Sequence, residues 1–285
     1  MPELPEVQTT VNGLNKTVKG KKIVAVSTTY NSKYYVGKDD TKNPSYFNIF
    51  KKRIVGKKIL GAERRAKNVL IHLSGGETII AHMKMTGHFV YNRPNYPFTR
   101  LTLTLDNGRH LVLSDMRKFA RINLEKTANL EKSFHLEHLG PEPLEKSFDF
   151  KLFKSQLLNK PKGRIKQVLL DQEIIAGIGN IYSDEILWRA GVHPQSVVSK
   201  IPEINFKVMF KAMKETLRKG IDFGGDSMSD YRNIEGERGS FQDHHRAYRR
   251  TSKPCTKPGC KGVISRMIVG SRSAHFCSSH QKLFK

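Results

Sequence analysis

Three cysteines and one histidine close to the C-terminal end have the spacing of a metal site. Cys255 and Cys260 are separated by four residues, Cys277 and His280 by two, and all three cysteines lie in the last 31 residues. Zinc takes four such ligands in a tetrahedron, commonly as two close pairs. Pro258-Gly259 and Ser278-Ser279 supply the tight turns each pair needs to bend around one ion. An odd number of cysteines grouped this closely does not suit a disulfide framework. A closed Cys3His shell leaves no position for water, so the chemistry is structural rather than catalytic. Three unrelated thiols and a chance histidine are the alternative.

The site needs an element to carry it. Val263-Ile264, Met267-Ile268-Val269 and Gly270 suit a two-stranded ribbon. Such a ribbon has too little core to fold alone, and metal binding would contribute directly to its folding. Lys261, Arg266 and Arg272 decorate it; they read equally as phosphate ligands or as a solvated face.

Charge narrows the partner. Fifty Lys and Arg against 26 Asp and Glu give the 285-residue chain a net charge of +24. A surplus of that size, spread along the chain rather than gathered in a tail, favours an anionic polymer or surface. A generic basic protein, such as a ribosome-associated one, is the plainer reading. No apolar run approaches the roughly 18 residues of a membrane span. The start, with Glu3 and Glu6, lacks the basic flank of a secretory signal.

Residues 1–130 read as strands after one short helix. Leu101, Leu103 and Leu105 alternate with Thr102 and Thr104, and Val69-Leu70-Ile71, Ile79-Ile80 and Leu111-Val112-Leu113 continue the pattern. Gly75-Gly76 and Asp106-Asn107-Gly108 sit between strands as hairpin turns. The expectation is an antiparallel sandwich or barrel. Residues 131–150 form a connector stiffened by Pro141 and Pro143. Residues 151–250 carry helical periods: Ile165, Val168 and Leu169 on one face, then Ile181, Glu185 and Trp188, then a helix over 203–219 with Ile204, Val208, Phe210, Met213 and Leu217 as its apolar positions. A Gly-, Ser- and Arg-rich loop over 224–241 falls in this part, and 251–285 is the finger.

Three separated stretches resemble the formamidopyrimidine-DNA glycosylases and their endonuclease-eight-like relatives. They are Pro2-Glu3-Leu4-Pro5-Glu6-Val7, Gly177-Ile178-Gly179-Asn180-Ile181-Tyr182-Ser183-Asp184-Glu185 and Gly270-Ser271-Arg272-Ser273-Ala274-His275-Phe276-Cys277. Arg64-Arg65-Ala66-Lys67, His82-Met83-Lys84-Met85-Thr86-Gly87, Asp115-Met116-Arg117-Lys118-Phe119 and Leu139-Gly140-Pro141-Glu142-Pro143 fill the gaps in the same order. The resemblance implies a multidomain α+β protein: an N-terminal antiparallel β-sandwich, a helix-two-turn-helix domain and a C-terminal zinc-finger hairpin holding one structural zinc. It implies a monomeric repair enzyme acting on damaged double-stranded DNA, with no membrane or obligate protein partner, located in the cytoplasm on a bacterial nucleoid.

The same resemblance assigns roles. Removal of Met1 exposes Pro2, whose secondary amine attacks the sugar C1′; an α-amine titrates near 7.7–8.0, far below lysine. Glu3 is the acid–base group, Glu6 supports it, and Lys67 stabilises phosphate or leaving-group charge. Met85, Arg117 and Phe119 fill the space vacated by the everted base. By periodicity alone Met85 and Phe119 would be core residues. His82, Lys118, Lys166, Asn180 and Arg272 contact DNA, and Glu185 and Tyr231 face the everted base. Lys118 stands where arginine is more frequent, and His280 where most relatives use cysteine. Ser227-Met228-Ser229-Asp230-Tyr231-Arg232 departs from the more usual Thr-Leu-Arg/Lys run, which leaves the lesion preference open. The Leu4 form of the opening motif and the full Met85, Arg117 and Phe119 set favour oxidised purines. Alternatives are an oxidised-pyrimidine glycosylase, a non-catalytic binder of damaged DNA and a zinc-stabilised ribosomal protein.

Overall fold

A computed structural model describes residues 1–30 and 32–285. The chain divides into two compact units, Met1–Glu137 with Phe223–Ser240, and His138–Asp222 with Phe241–Lys285.

In the first unit, α1 (Leu4–Thr17) precedes two four-stranded antiparallel sheets. One has the order β1 (Ile23–Thr28), β6 (Thr99–Leu105), β7 (His110–Ser114), β5 (His88–Tyr91). The other runs β2 (Ile59–Arg65), β3 (Asn68–Leu73), β4 (Glu77–His82), β8 (Arg121–Lys126). The expected hairpins are present: β3 and β4 pair through Gly75 and Gly76, both at positive φ, and β6 and β7 through Gly108. Leu101, Leu103 and Leu105 point inward while Thr102 and Thr104 are half-buried, as their alternation requires. Both sheets contribute to one core with Val7, Val11 and Leu14 of α1 and Phe50 and Ile54 of α2 (Pro44–Ile54).

The segment 224–241, placed by sequence with the helical part, is carried almost entirely by the first unit. Its anchor is α1. The Tyr231 hydroxyl donates to the Glu6 carbonyl at 2.9 Å, the Tyr91 N–H donates to the Ile234 carbonyl at 2.7 Å, and Ile234 belongs to the core cluster. A Cβ on Gly13 would lie 2.4 Å from Ile234 Cγ2, so only glycine allows α1 this close to the segment.

The second unit holds α3 (Phe150–Leu158), α4 (Ile165–Leu170), α5 (Asn180–Ala190) and α6 (Glu203–Asp222). It also holds the ribbon β9 (Ser265–Val269) and β10 (Arg272–Phe276). Helix α6 corrects one reading of its apolar face. Phe206, Met209, Met213 and Leu217 form the buried stripe, whereas Ile204 and Val208 are exposed. Spacings of three and four residues from Phe206 make the better helical stripe. No helix among the described residues is long and apolar enough to cross a membrane.

Candidate active site and metal centre

At the start of the chain Met1 is 37% exposed while Pro2, Glu3, Leu4, Pro5 and Glu6 are buried. With Met1 attached, the Pro2 nitrogen is a tertiary amide and no nucleophile. Loss of that one exposed residue would free a secondary amine in a protected setting. Glu3 is the N-cap of α1, and its N–H donates to Glu6 Oε2 at 2.7 Å. The other Glu6 oxygen accepts the Asp226 N–H, also at 2.7 Å. Glu6 thus ties the N-terminal turn to the 223–240 segment. Gly225 sits at φ +85°, and a Cβ there would come within 2.8 Å of Glu6 Cγ, so glycine is required at this approach.

Tyr231 is a correction. It was expected to face the everted base, yet its ring is buried against α1 and its hydroxyl is used by Glu6 O and lies 3.4 Å from Thr10 Oγ1. Burial pushes the phenol above its ordinary pKa range. Its role is to anchor the segment, not to line a pocket.

Lys67 lies in the turn between β2 and β3 and is 7% exposed. It is near enough to His82 to help depress that imidazole. Burial is the largest cause, followed by Lys84, Lys67 and Arg121, and together they bring the His82 pKa down to about 3. His82 is therefore neutral at physiological pH. Its Nδ1 accepts the Lys84 N–H at 3.0 Å, so the ring proton sits on Nε2.

The three expected wedge residues are on the surface. Met85, Arg117 and Phe119 are all exposed, and the Arg117 guanidinium stacks 4.7 Å from the Phe119 ring centroid. Periodicity alone placed Met85 and Phe119 in the core; the structure does not. Two buried residues that the sequence reading passed over hold their loops. Thr86 Oγ1 donates to Asp115 Oδ1 at 2.6 Å and accepts the Arg117 N–H at 3.0 Å. Asp115 Oδ2 accepts the Ala120 N–H at 2.8 Å. The 83–87 turn is closed by the Gly87 N–H on the Met83 carbonyl, which a Cβ on Gly87 would approach to 2.5 Å. Lys118, between the two wedge positions, is exposed at φ +58°. The available signal was a small polar residue and an acid embedded in motifs otherwise read as surface contacts.

In the second unit Asn180 opens α5 and Arg272 opens β10. Both line one 440 Å³ cavity with Arg249, Arg266, Tyr248 and His275. Asn180 and Arg272, each expected separately to contact phosphate, thus lie in one cavity lining, beside a helix start whose N–H groups favour an anion. Asp184 holds two neighbouring side chains, Lys166 and His275. Its Oδ1 takes the Lys166 ammonium at 2.6 Å, and its Oδ2 accepts the His275 N–H at 3.0 Å and His275 Nδ1 at 2.8 Å. Lys166 is fully buried and also donates to Ser183 Oγ and the Asn180 carbonyl. That placement corrects its expected DNA contact: no phosphate in solvent reaches a group with no exposed surface.

Glu185 is corrected in the same way. It is 1% exposed, and its carboxylate accepts the backbone N–H groups of Arg246, Ala247 and Tyr248 at 2.9 to 3.1 Å. A carboxylate saturated by three amides pins the chain entering the finger; it has little left for a base.

The four expected metal ligands converge. All donor atoms lie within 4.8 Å of one another, with Cys260 Sγ to Cys277 Sγ 3.7 Å and Cys255 Sγ to His280 Nδ1 3.3 Å. Tetrahedral zinc bonds imply ligand–ligand edges of about 3.5–3.8 Å, whereas a disulfide brings sulfurs to about 2.05 Å. The cluster can hold a metal, and its spacing suits zinc. His280 Nε2 donates to the Trp188 carbonyl at 3.0 Å, which leaves Nδ1 as the ligand. Trp188 Nε1–H donates to Cys255 Sγ at 3.4 Å, and Gly262 N–H to Cys260 Sγ at 3.4 Å.

Residues 1–122 match the formamidopyrimidine-DNA glycosylase N-terminal domain, and residues 139–232 the H2TH domain of the same enzymes. The formamidopyrimidine-DNA glycosylase of Solibacter usitatus is 40% identical over 283 residues, covering 99% of this chain and all of the relative. This chain belongs to the formamidopyrimidine-DNA glycosylase family. The Streptococcus mutans member is 36% identical with the same coverage. Two solved Lactococcus lactis Fpg structures, one with DNA containing an abasic site and one with N7-benzyl-Fapy-dG DNA, each share 32% identity and a TM-score of 0.86. They cover 98% and 99% of this chain and 99% and 100% of their own.

Proposed function

We propose that the chain is a bifunctional DNA glycosylase and abasic-site lyase that removes oxidised purines, 8-oxoguanine and formamidopyrimidines, from duplex DNA. The observation that carries this reading is the buried Pro2–Glu3–Glu6 turn behind one exposed methionine, in a chain matching the family over its whole length. The solved relatives bound to lesion and abasic-site DNA support DNA as the partner.

After Met1 is removed, the Pro2 amine in its neutral form attacks the sugar C1′ and expels the base. Glu3 supplies or relays the proton for ring opening from the buried N-cap position. Imine formation acidifies the C2′ proton; β-elimination then breaks the strand 3′ to the lesion, and a second elimination releases the sugar. Lys67 offers positive charge to the departing phosphate. Met85, Arg117 and Phe119 enter the space left by the everted base. Cys255, Cys260, Cys277 and His280 would hold one zinc, whose contribution is to fold the finger that presents Arg272.

The test is borohydride trapping of the mature chain on 8-oxoguanine and abasic duplexes. A covalent adduct is expected, mapped by peptide mass spectrometry to the Pro2 nitrogen. An adduct on another residue, or none from the mature chain, would overturn the mechanism. A panel of 8-oxoguanine, formamidopyrimidine and oxidised pyrimidines tests the lesion preference, with the oxidised purines cleaved fastest.

A further inference from the structure

The chain between β1 and α2 reaches the carboxylate that is bonded to both wedge loops. Asp115 has no exposed surface. Besides the Thr86 hydroxyl on Oδ1 and the Ala120 N–H on Oδ2, it accepts the Tyr30 hydroxyl on Oδ2 at 3.3 Å. Each expected wedge residue stands next to a residue bonded to this group or is itself bonded to one. Met85 precedes Thr86, the Arg117 N–H donates to Thr86 Oγ1, and Phe119 precedes Ala120. The same stretch of chain also binds the strand that follows: the Thr41 N–H donates to the Ile122 carbonyl at 3.2 Å, and Asn123 Nδ2 donates to the Asp39 carbonyl.

Lys42 adds a buried ammonium to this stretch. It is 2% exposed, and its ion pair with Asp40 is a long one, 3.9 Å. The ammonium lies 4.6 Å from the Tyr35 ring centroid, 5.6 Å from that of Tyr30 and 3.4 Å from the Tyr35 hydroxyl. Both rings supply cation–π attraction. Burial lowers the Lys42 pKa, Asp40 and then Asp115 oppose that shift, and Arg121 adds to it. Lys42 and Asp115 therefore attract each other. A buried ion pair adds little net stability over a well-packed apolar residue, so stability alone does not account for a lysine here.

We propose that Tyr30 and Lys42 are positioning residues for the wedge: they steady the Asp115 carboxylate, and through it the backbone that presents Arg117 to the base opposite the lesion. This role rests on the DNA-repair reading above and adds to it a source of opposite-base selectivity. A guanidinium only donates hydrogen bonds. Unpaired cytosine presents two adjacent acceptors, N3 and O2, whereas adenine presents N1 beside an amino donor. Telling them apart requires a fixed Arg117 backbone, because a loosely held fork can re-aim to suit either base.

The experiment measures affinity in the full chain, so it does not depend on turnover. Tyr30→Phe removes one hydroxyl and Lys42→Met one charge; Tyr34→Phe, an exposed hydroxyl in the same stretch, is the control. Binding is measured on duplexes carrying a tetrahydrofuran abasic analogue opposite cytosine or adenine, and on the single strand, which has no opposite base. The wild type and Tyr34→Phe should favour cytosine. In Tyr30→Phe the cytosine-to-adenine affinity ratio should fall about threefold to tenfold, the net effect of one hydrogen bond, and in Lys42→Met at least as far. Single-strand affinity should stay at the control value in both. If Lys42→Met does not fold, Tyr30→Phe decides alone. A ratio in Tyr30→Phe equal to that of Tyr34→Phe would overturn the proposal. So would equal losses on both duplexes and the single strand, which mark a general structural role, or a wild type that binds both duplexes equally. Borohydride trapping of the wild type is scored separately: its failure bears on the catalytic reading and leaves selectivity in binding measurable.

Discussion

Glu6 and Asp226, 220 residues apart, are joined by a 2.7 Å hydrogen bond from the Asp226 N–H to Glu6 Oε1. The same carboxylate holds the Glu3 N–H. One side chain therefore couples the turn that carries Pro2 to the segment whose sequence departs most from the family pattern. Glu6→Gln keeps the shape but loses charge on two short bonds, at about 1.5–3 kcal/mol for a charged acceptor. Faster amide exchange at Asp226 and slower adduct formation are expected together. If exchange there is unchanged, Glu6 does not hold the segment.

The wedge assignment separates from a core role by stability. Met85→Ala and Phe119→Ala should change unfolding free energy by about 0.5 kcal/mol or less, as for surface sites. A core phenylalanine would cost about 3–5 kcal/mol. Single-turnover excision from an 8-oxoguanine duplex should fall by about tenfold or more, because the wedge offsets unstacking worth a few kcal/mol.

Glu185 and Lys166 should behave as structural groups. Glu185→Ala strands three N–H groups and is expected to cost about 3 kcal/mol. Lys166→Met leaves Asp184 buried without its cation, at about 3–5 kcal/mol. Thermal melts should show both losses. DNA affinity per folded molecule should change little for Glu185→Ala; a large change at unaltered melting temperature would restore its pocket role.

Acid sensitivity follows from His82. Its folded pKa, about 3, lies below the unfolded value of about 6.5. Between these the unfolded chain binds the extra proton, so stability is fully present above about pH 6.5 and is lost as pH falls toward 3. His82→Gln should flatten that part of the pH–stability profile by up to a few kcal/mol. An unchanged acid limb in denaturant titrations would show that His82 is not the group responsible.

Chelation should act on binding before chemistry. Removing the metal, or replacing His280 by Ala, is expected to lower affinity for intact lesion duplex by about tenfold or more through loss of the Arg272 contact. His280→Cys should keep a four-ligand shell and most of the affinity. Metal content from elemental analysis and binding by anisotropy check both.

What the sequence made legible was whatever is encoded by local spacing. The hairpins at Gly75-Gly76 and Asp106-Asn107-Gly108 and the Cys3His cluster required no knowledge of distant neighbours. Glu185, Tyr231 and Lys166 were misread for the opposite reason. Their partners come from Arg246 to Tyr248, from α1 and from Asp184, and nothing in a short motif says whether a polar side chain turns toward a ligand or toward such partners. Met85 and Phe119 show the converse: apolar residue type suggested the core, yet both are exposed, in loops where Thr86 and Asp115 are buried and bonded to each other.

Trp188 is the chain's one tryptophan. Its indole donates to Cys255 and lies edge-on to His280, ring centroids 5.3 Å apart, while its carbonyl receives the His280 proton. The sole strong fluorophore thus touches two of the four ligands of the metal centre. Its emission becomes an optical gauge of that centre, read in the unlabelled protein. Metal exchange, finger unfolding and oxidation of Cys255 would each alter the signal, while events confined to the first unit would leave it unchanged.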